Sequence, residues 1–435
     1  MSKWITTKLN NICSSEKGAV ISGPFGSNIS SKFFVDKGVP IIRGNNMSLS
    51  LDKFYDDGFV FVTEEKAADL NCYAKEGDLI FTAAGTIGQV GILEAPLNYT
   101  KYVISNKQLR ARIDTKKIDV LYAYYWFSSK WMQEYFIRNN KGSTVPLITL
   151  SELKDAPISY PEDVSTQRKI VNVIESLSNK IRINQQICSE LEAMAKALYD
   201  YWFVQFDFPD ENGKPYRTSG GEMVWNEQLK RKIPKGWEAK NIQEVCAIVD
   251  CLHSKKPDLS FESENYYLLQ LDNLVDMGLL DLSNKYYISA NDYAAWTSKI
   301  EVRCGDLVIT NAGRVGDIAR IPKRIICGIG RNMTAIRAVN VDPIFMYYFF
   351  ASSDMKAQIK SNTDTGSFFG SLNVRGIKQL IMPIPPEESE IMNRFIDIVR
   401  PIRENLEMVA LQSQELSKLR DWLLPMLMNG QARVE

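Results

Sequence analysis

The strongest constraint on this chain is that it repeats itself. The run Glu76-Gly77-Asp78-Leu79-Ile80-Phe81-Thr82-Ala83-Ala84-Gly85-Thr86-Ile87-Gly88 recurs without a gap as Cys304-Gly305-Asp306-Leu307-Val308-Ile309-Thr310-Asn311-Ala312-Gly313-Arg314-Val315-Gly316, at an offset of 228. Tyr124-Tyr125 and Ser128-Ser129 return as Tyr347-Tyr348 and Ser352-Ser353. Gly142-Ser143 and Pro161 return as Gly366-Ser367 and Pro385, now at an offset of 224. Upstream, Trp4 and Leu9 are echoed by Trp237 and Ile242. A period of about 225 residues is far longer than the 20–50 of a solenoid, so the chain is a tandem duplication of a domain-sized unit.

Each copy reads the same way. Short β-rich runs (Gly77–Thr82, Gly305–Thr310) mix with Gly, Pro and Asn turns and with one aromatic helical pattern (120–138; 344–360). That combination predicts a mixed α/β globular domain. Trp4, Trp237, Tyr124 and Tyr347 are expected in the core. Each globular part ends at a Pro-flanked segment, Pro157–Pro161 and Pro383–Pro386, after which a long helical pattern starts. The reading is α+β: a first domain over 1–161, a helix over 162–204, a linker over 205–233, a second domain over 234–386, a second helix over 387–425 and a short tail over 426–435. The linker, turn-rich and polar from Phe206 to Lys235, is expected to hold little regular structure.

The helices carry the clearest periodicity. Ile170, Ile174, Leu177, Ile181, Asn184, Cys188, Leu191, Ala195, Leu198 and Trp202 alternate in steps of four and three. In the second helix Ile391, Phe395, Ile398, Ile402, Asn405, Val409, Gln412, Leu416, Leu419 and Leu423 repeat the pattern. A sustained period of about 3.5 residues predicts a left-handed coiled coil. The alternative is two amphipathic helices, each packed only on its own domain. Asn184 and Asn405 occupy the same place in the two patterns, and a polar seam residue sets register at a cost in stability. Pro401 lies inside the second pattern and predicts a kink.

Composition removes several function classes. The longest uncharged apolar run, Ile344–Ala351, is too short to cross a bilayer, and Met1–Leu9 lacks the apolar stretch of a secretory signal, so a soluble, cytoplasmic protein is expected. Seven cysteines, none in a CxxC pair, read as reduced buried thiols, and Cys246 and Cys251 lack the second pair a zinc site needs. One histidine, His253, leaves little basis for a Ser-His-Asp relay or a His-rich metal site. The segment Gly85–Gly91 lacks GxGxxG spacing and leads into β pattern, which favours a turn between strands over a dinucleotide or methyl-donor loop. There is no GxxxxGK[ST] phosphate loop, nor an Asn-Pro-Pro-Tyr or Asp-Pro-Pro-Tyr tetrapeptide. Asp210 with Glu238 and Lys240 imitates a metal-nuclease pattern, but the first copy has no counterpart. No catalytic set and no metal site are expected.

Net charge is zero, 52 basic against 52 acidic residues, which is not the footprint of a simple nucleic-acid binder. The charges are segregated, however. Residues 95–150 hold nine Lys/Arg against three Asp/Glu, residues 299–340 hold eight against three, and residues 387–424 hold five against eight. Such a division can place a DNA-binding face inside a neutral total.

A duplicated globular unit, each copy followed by a long coiled-coil pattern and free of catalytic motifs, resembles the specificity (S) subunit of type I restriction–modification enzymes. The resemblance is carried by Gly23-Pro24-Phe25-Gly26-Ser27-Asn28, Gly38-Val39-Pro40-Ile41-Ile42-Arg43, Gly77–Phe81, Ala84–Gly88, Gly142-Ser143, Gln167–Ile170, Ile233–Trp237 and Asn429–Val434. The second copy departs from it, with Leu252-His253-Ser254-Lys255-Lys256 in place of the GPFGS loop and Arg375-Gly376 in place of part of Leu150–Leu153. The resemblance implies two target-recognition domains, each reading one half of a split double-stranded DNA site. It implies helices paired antiparallel, setting the gap and docking two methylation (M) subunits, with restriction (R) subunits joining the complex. S-adenosylmethionine, ATP and magnesium would reside on those partners, and this chain would bind no cofactor. Lys101, Lys107, Arg110 and Lys141 in the first domain, with Lys255, Lys256, Arg314 and Arg331 in the second, are the candidates for phosphate or guanine. Asn45, Asn46 and Gln108, with Gln270 and Asn273, are those for adenine edges. Two other readings remain open: an S-type subunit of a different methylase–nuclease arrangement, and a stand-alone DNA-binding nuclease.

Overall fold

The computed structural model describes residues 3–142, 144–253, 255–364 and 370–434. Ser143 and Gly366-Ser367 of the repeated motifs lie outside the described residues. The chain divides into two units, residues 1–180 with 416–435, and residues 181–415. Both divisions fall inside the long helices, so each unit owns part of each helix.

In the first unit, strands Trp4–Lys8 and Pro157–Pro161 pair antiparallel and close the domain, with Trp4 opposite Pro161. One four-stranded antiparallel sheet runs in the order Val20–Ser22, Gln108–Arg112, Asp78–Thr82, Val90–Ile92. A second runs Val60–Val62, Val39–Ile42, Tyr102–Ile104, Tyr73–Ala74, its middle pair parallel. Every residue of Asp78–Thr82 is buried, which is why its apolar centre, Leu79-Ile80-Phe81, does not alternate with polar residues. The second unit repeats the plan. Cys246–Asp250, Met333–Ala338, Leu307–Thr310 and Ile318–Arg320 form the four-stranded sheet. Tyr286–Tyr287, Tyr267–Leu269 and Gly328–Ile329 form the smaller one, and Glu238–Asn241 closes the domain against Ile381–Ile384.

The repeated Gly-Asp pair has a physical role in both copies. Gly77 and Gly305 turn the chain at φ of +84° and +93°, where a side chain is strained. The aspartate that follows is buried and ion-paired: Asp78 with Arg112 at 2.8 Å, Asp306 with Arg337 through both carboxylate oxygens. The repeated Ser-Ser pair divides what the sequence presents as one aromatic helix. Val120–Ser128 and Lys130–Arg138 are separated at Ser129, and Pro343–Ala351 and Ser353–Ser361 at Ser352, each serine extended at ψ near 155°. Ser352 accepts the backbone N–H of Met355, opening the next helix.

The first long helix spans Val164–Tyr199 and continues as a π-turn over Asp200–Val204. Asp163 opens it by accepting the N–H groups of Ser165 and Thr166, and these bonds with the Ser165 hydroxyl hold its carboxyl down at about 2. The second helix, Ile391–Met428, runs unbroken through Pro401. In the second unit the two helices lie antiparallel. Asn184 Nδ2 donates to Gln412 Oε1 at 3.2 Å, Cys188 packs on Leu406, and Glu192 pairs with Arg403 at 3.2 Å. In the first unit Ile170, Val171 and Ile174 share one core with Leu424, Leu427 and Met428. In the second, Phe395, Ile396 and Val399 share one with Tyr199, Trp202 and Phe203. The helices therefore pack both on each other and on the domains.

The first helix buries the expected seam, including Ile170, Ile174, Ile181, Asn184, Cys188, Ala195 and Trp202. The second does not. Asn405 is exposed, Ile398 is 46% exposed, and the buried stripe is Phe395, Val399, Arg403 and Leu406. Burial equates Ile170 with Phe395, Ile174 with Val399 and Trp202 with Leu427, an offset of 225 that continues the offset of the domains. The periodicity reading places the seam one residue off for most of its length, because the buried stripe carries a charged residue, Arg403, that hydropathy excludes.

Two further expectations are corrected. Residues 205–233 are not an unstructured linker: strands Met223–Asn226 and Arg231–Pro234 form a hairpin, and Phe206, Phe208 and Ile233 are buried. Phe208 lies between Tyr216 and Trp237, ring centroids 4.8 and 5.5 Å away, so a few aromatics anchor a polar segment. Six cysteines are free and buried, but Cys304 is exposed. Of the four expected core aromatics, Tyr124, Tyr347 and Trp237 are buried and Trp4 is half-buried.

The corrected seam gives a contrast between neighbours. Leu406→Ala removes a fully buried side chain and is expected to cost about 2–5 kcal/mol. Asn405→Ala, one residue away, is expected to stay within about 0.5 kcal/mol. Urea denaturation of the two variants followed by circular dichroism checks both.

Candidate nucleic-acid interface

A cleft of about 580 Å³ opens in the first domain between the ends of the two sheets. Its walls come from the segment after strand Val39–Ile42 (Arg43, Gly44, Asn45), the turn after Asp78–Thr82 (Ala84, Gly85, Thr86, Gln89) and the loop entering Gln108–Arg112 (Ser105, Asn106, Lys107). Gly85 and Gly88 adopt φ of +96° and +93°, and Gly313 and Gly316 of the second copy +83° and +87°. The glycine run is thus a turn between strands, as its sequence predicts. The lining is polar and amide-rich, the chemistry that reads base edges and phosphates.

Backbone bonds establish which positions correspond. Ser105 N donates to Ile42 O and Gly330 N to Leu269 O, while Ala83 N donates to Lys107 O and Asn311 N to Asn332 O. Arg43 therefore matches Gln270, Asn106 matches Arg331, and Lys107 matches Asn332.

Several expected contacts belong to this scaffold. Asn46 is fully buried: its Oδ1 accepts Arg43 N at 2.9 Å, and its Nδ2 donates to Tyr55 O and Asp57 O at 3.0 and 2.8 Å. Asn273 repeats the clamp, accepting from Gln270 N at 2.7 Å and donating to Asp281 O and Asn284 O at 2.8 and 2.9 Å. An amide with its bonds satisfied inside the fold cannot also meet a base edge, so neither asparagine is a contact. Gln108 is buried against Ser105. Arg110 is buried, donates to Tyr73 O and Gly18 O, and desolvation lowers its pKa. Arg314 is half-exposed, but its Nη2 donates to Leu271 O and Leu274 O and its Nε faces Asp317 at 3.2 Å. It braces the loop as Gln89 does by donating to Met47 O at 2.9 Å. Sequence cannot separate such buried bracing groups from surface ones, because the residue types are the same.

Other candidates stay on the surface. Asn45 and Lys107 are exposed at the cleft, and Arg331 and Lys255 are exposed in the second domain. Gln270 is half-buried, its Nε2 donating to Leu269 O at 3.0 Å. Lys101 pairs with Glu64 at 2.6 Å and Lys141 with Glu152 at 3.8 Å, so part of the local basic excess is neutralised. Lys256 lies 3.6 Å above the Tyr286 ring, and desolvation lowers its pKa. Arg43 and Asn106 were absent from the candidates. Arg43 stands directly after the Val39–Ile42 strand, and strand ends next to glycine turns are the signal that finds it.

The nuclease-like triplet dissolves into local structure. Asp210 accepts the N–H groups of Asn212 and Lys214 in a turn, and Glu238 pairs with Lys240 at 3.3 Å. Asp250, Cys251 and His253 bring three ligand-type atoms within 4.8 Å of one another, with Asp250 and His253 bonded at 2.8 Å and the Cys251 thiol raised by burial. Among the described residues no helix is long and apolar enough to cross a membrane.

One scaffold is used twice in the chain, and in the first domain it carries a polar cleft. Residues 1–193 match the family model described as the type I restriction modification DNA specificity domain. The type I restriction enzyme MjaIX specificity subunit of Methanocaldococcus jannaschii is 26% identical over 382 residues, covering 86% of this chain and 82% of the relative. The HindI specificity subunit of Haemophilus influenzae is 21% identical over 411 residues, covering 82% and 87%. The crystal structure of the type I restriction–modification S subunit from M. genitalium shares the fold, with a TM-score of 0.55 and 15% identity over 98% of this chain and 96% of that one. Residues 1–193 thus match the type I restriction modification DNA specificity domain, and over more than four fifths of its length the chain is similar to type I restriction enzyme specificity subunits.

The clamps separate scaffold from surface experimentally. Asn46→Ala and Asn273→Ala are each expected to cost about 1–3 kcal/mol, since each strands buried partners. Asn45→Ala, exposed beside the first clamp, is expected to leave the thermal midpoint unchanged. Differential scanning calorimetry of the three variants checks this.

Proposed function

We propose that each globular domain reads one half of a bipartite double-stranded DNA site, and that the helix pair sets the gap and docks two methylation subunits. The observation that carries this reading is one scaffold used twice with different polar groups around the same loops. One scaffold gives two readers, and different groups give two different half-sites. The antiparallel contacts of Asn184 with Gln412 and of Glu192 with Arg403 support a spacer of defined register. In this reading the chain is a recognition subunit: methyl transfer, with S-adenosylmethionine, and ATP-driven cleavage, with magnesium, belong to methylation and restriction subunits. The complex is placed in the cytoplasm, with its DNA.

Modularity is the decisive test. Replacing residues 1–161 with the corresponding part of a relative should change one half of the methylated site and leave the other intact. If both halves change together, the two-reader account fails. Mapping methylated adenines with the assembled complex gives the answer directly.

Arg331 tests the contact chemistry. If it meets a base, Arg331→Ala weakens binding by about 1–3 kcal/mol and relaxes one position. If it meets a phosphate, all sequences weaken alike and the dependence of binding on salt becomes shallower. Unchanged affinity at every salt concentration removes it from the interface.

A further inference from the structure

We propose that Arg43 of the first domain and Gln270 of the second are the matched base-reading residues, Arg43 selecting a guanine in one half-site and Gln270 an adenine in the other. The assignment rests on the DNA-reading function proposed above and names the positions that would make the two halves different.

Three observations lead to these positions. The first is equivalence of backbone. Both residues directly follow a strand, and both backbone N–H groups donate to a clamp asparagine three residues on, Arg43 to Asn46 at 2.9 Å and Gln270 to Asn273 at 2.7 Å. Each clamp then holds two carbonyls of the following loop, so the Cα at this position is rigidly placed in both domains. A reader needs such placement, because a bidentate contact to a base tolerates little movement.

The second observation is that the clamp is kept while the clamped residue changes. Asparagine appears twice at the buried position, arginine and glutamine at the presented one. Arginine matches the O6 and N7 acceptors of guanine, and glutamine matches the N6 donor and N7 acceptor of adenine. The neighbouring loop changes in the same manner, Asn106 and Lys107 of one copy being replaced at the matched positions by Arg331 and Asn332 of the other.

The third is availability. Arg43 lines the cleft; among the described residues its Nε has no hydrogen-bond partner and its Nη2 reaches only Gly58 O at 3.5 Å. An inaccessible N–H without a partner is costly, and turning toward a base edge breaks no strong internal bond. In the second domain Gln270 makes its donor bonds to Leu268 O and Leu269 O, at 3.5 and 3.0 Å, which a small side-chain rotation exchanges for a base. The arginines that resemble readers by sequence, Arg110 and Arg314, are both held by backbone carbonyls.

The experiment uses the full complex with its methylation subunits and a pool of duplexes randomised across both half-sites. Arg43→Gln should replace guanine by adenine at one position of one half-site, with a loss of guanine preference of about five- to 150-fold, and leave the other half-site as it was. Gln270→Arg should make the reciprocal change in the other half-site alone. The unaltered half-site shows in each case that the complex has assembled. If both variants select the parental sequences, or lose affinity for all sequences alike, the assignment of these residues is overturned while the DNA-reading function stands. If the parental complex selects no half-site that follows an exchange of residues 1–161, the function itself is overturned. Should one variant fail to assemble, the reciprocal one decides.

Discussion

The second unit is organised around one buried guanidinium. Arg403 is inaccessible to solvent, yet every neighbour of its charge is accounted for. Glu407 lies one helical turn on at 2.9 Å, Glu192 reaches it from the antiparallel helix, and the carbonyls of Met277 and Gly278 accept from it at 2.7 Å. The Tyr347 ring lies 4.0 Å away, and Glu192 also accepts from the hydroxyls of Tyr347 and Tyr348. Glu407 in turn pairs with Arg320 of the sheet at 2.7 Å. Burying such charges is expensive, and replacing the set by apolar residues could leave the unit as stable. What the network adds is specificity: one helix register and one seating of the domain satisfy every member, and a shift of one residue leaves charges unpaired.

The same requirement explains why the helices do not behave as a free coiled coil. Each is gripped along one stripe by its partner and along an overlapping stripe by a domain, so the buried face is wider than a two-position seam. At the first domain Tyr125 and Lys53 converge on Glu175, while at the second two tyrosines and Arg403 converge on Glu192. Tyrosine to glutamate is the shared device, and the cation that completes it differs. Duplication preserved the packing problem and solved its electrostatics twice.

The domains divide labour among residues of the same chemical type. Asparagine appears as a buried clamp at 46 and 273 and as a surface group at 45. Arginine appears as a partner of a buried aspartate at 112 and 337, as a brace at 314, and as an exposed group at 331. A basic stretch in the sequence therefore overstates the basic surface, since roles such as the Asp78 and Asp306 pairs consume arginines inside. Equivalence between the two copies picks out part of the scaffold, the asparagine clamps and the buried Asp-Arg pairs, which recur, whereas the braces Arg110 and Arg314 have no counterpart and only their bonds reveal them.

The sequence alone determined the duplication, the α/β character of each copy, the two long helices, the seam of the first, and the resemblance to type I specificity subunits. All of these depend on order and periodicity, which are properties of the chain itself. Tertiary structure decided the rest. The seam of the second helix moved because Arg403 is buried by partners more than a hundred residues away, and hydropathy scores an arginine as surface whatever its partners. The segment 205–233 packs because Phe206, Phe208 and Ile233 find apolar neighbours, which turn-rich local composition cannot reveal. Asn46, Gln108, Arg110, Asn273 and Arg314 turned inward because backbone groups required their hydrogen bonds, a demand set by where loops meet in space.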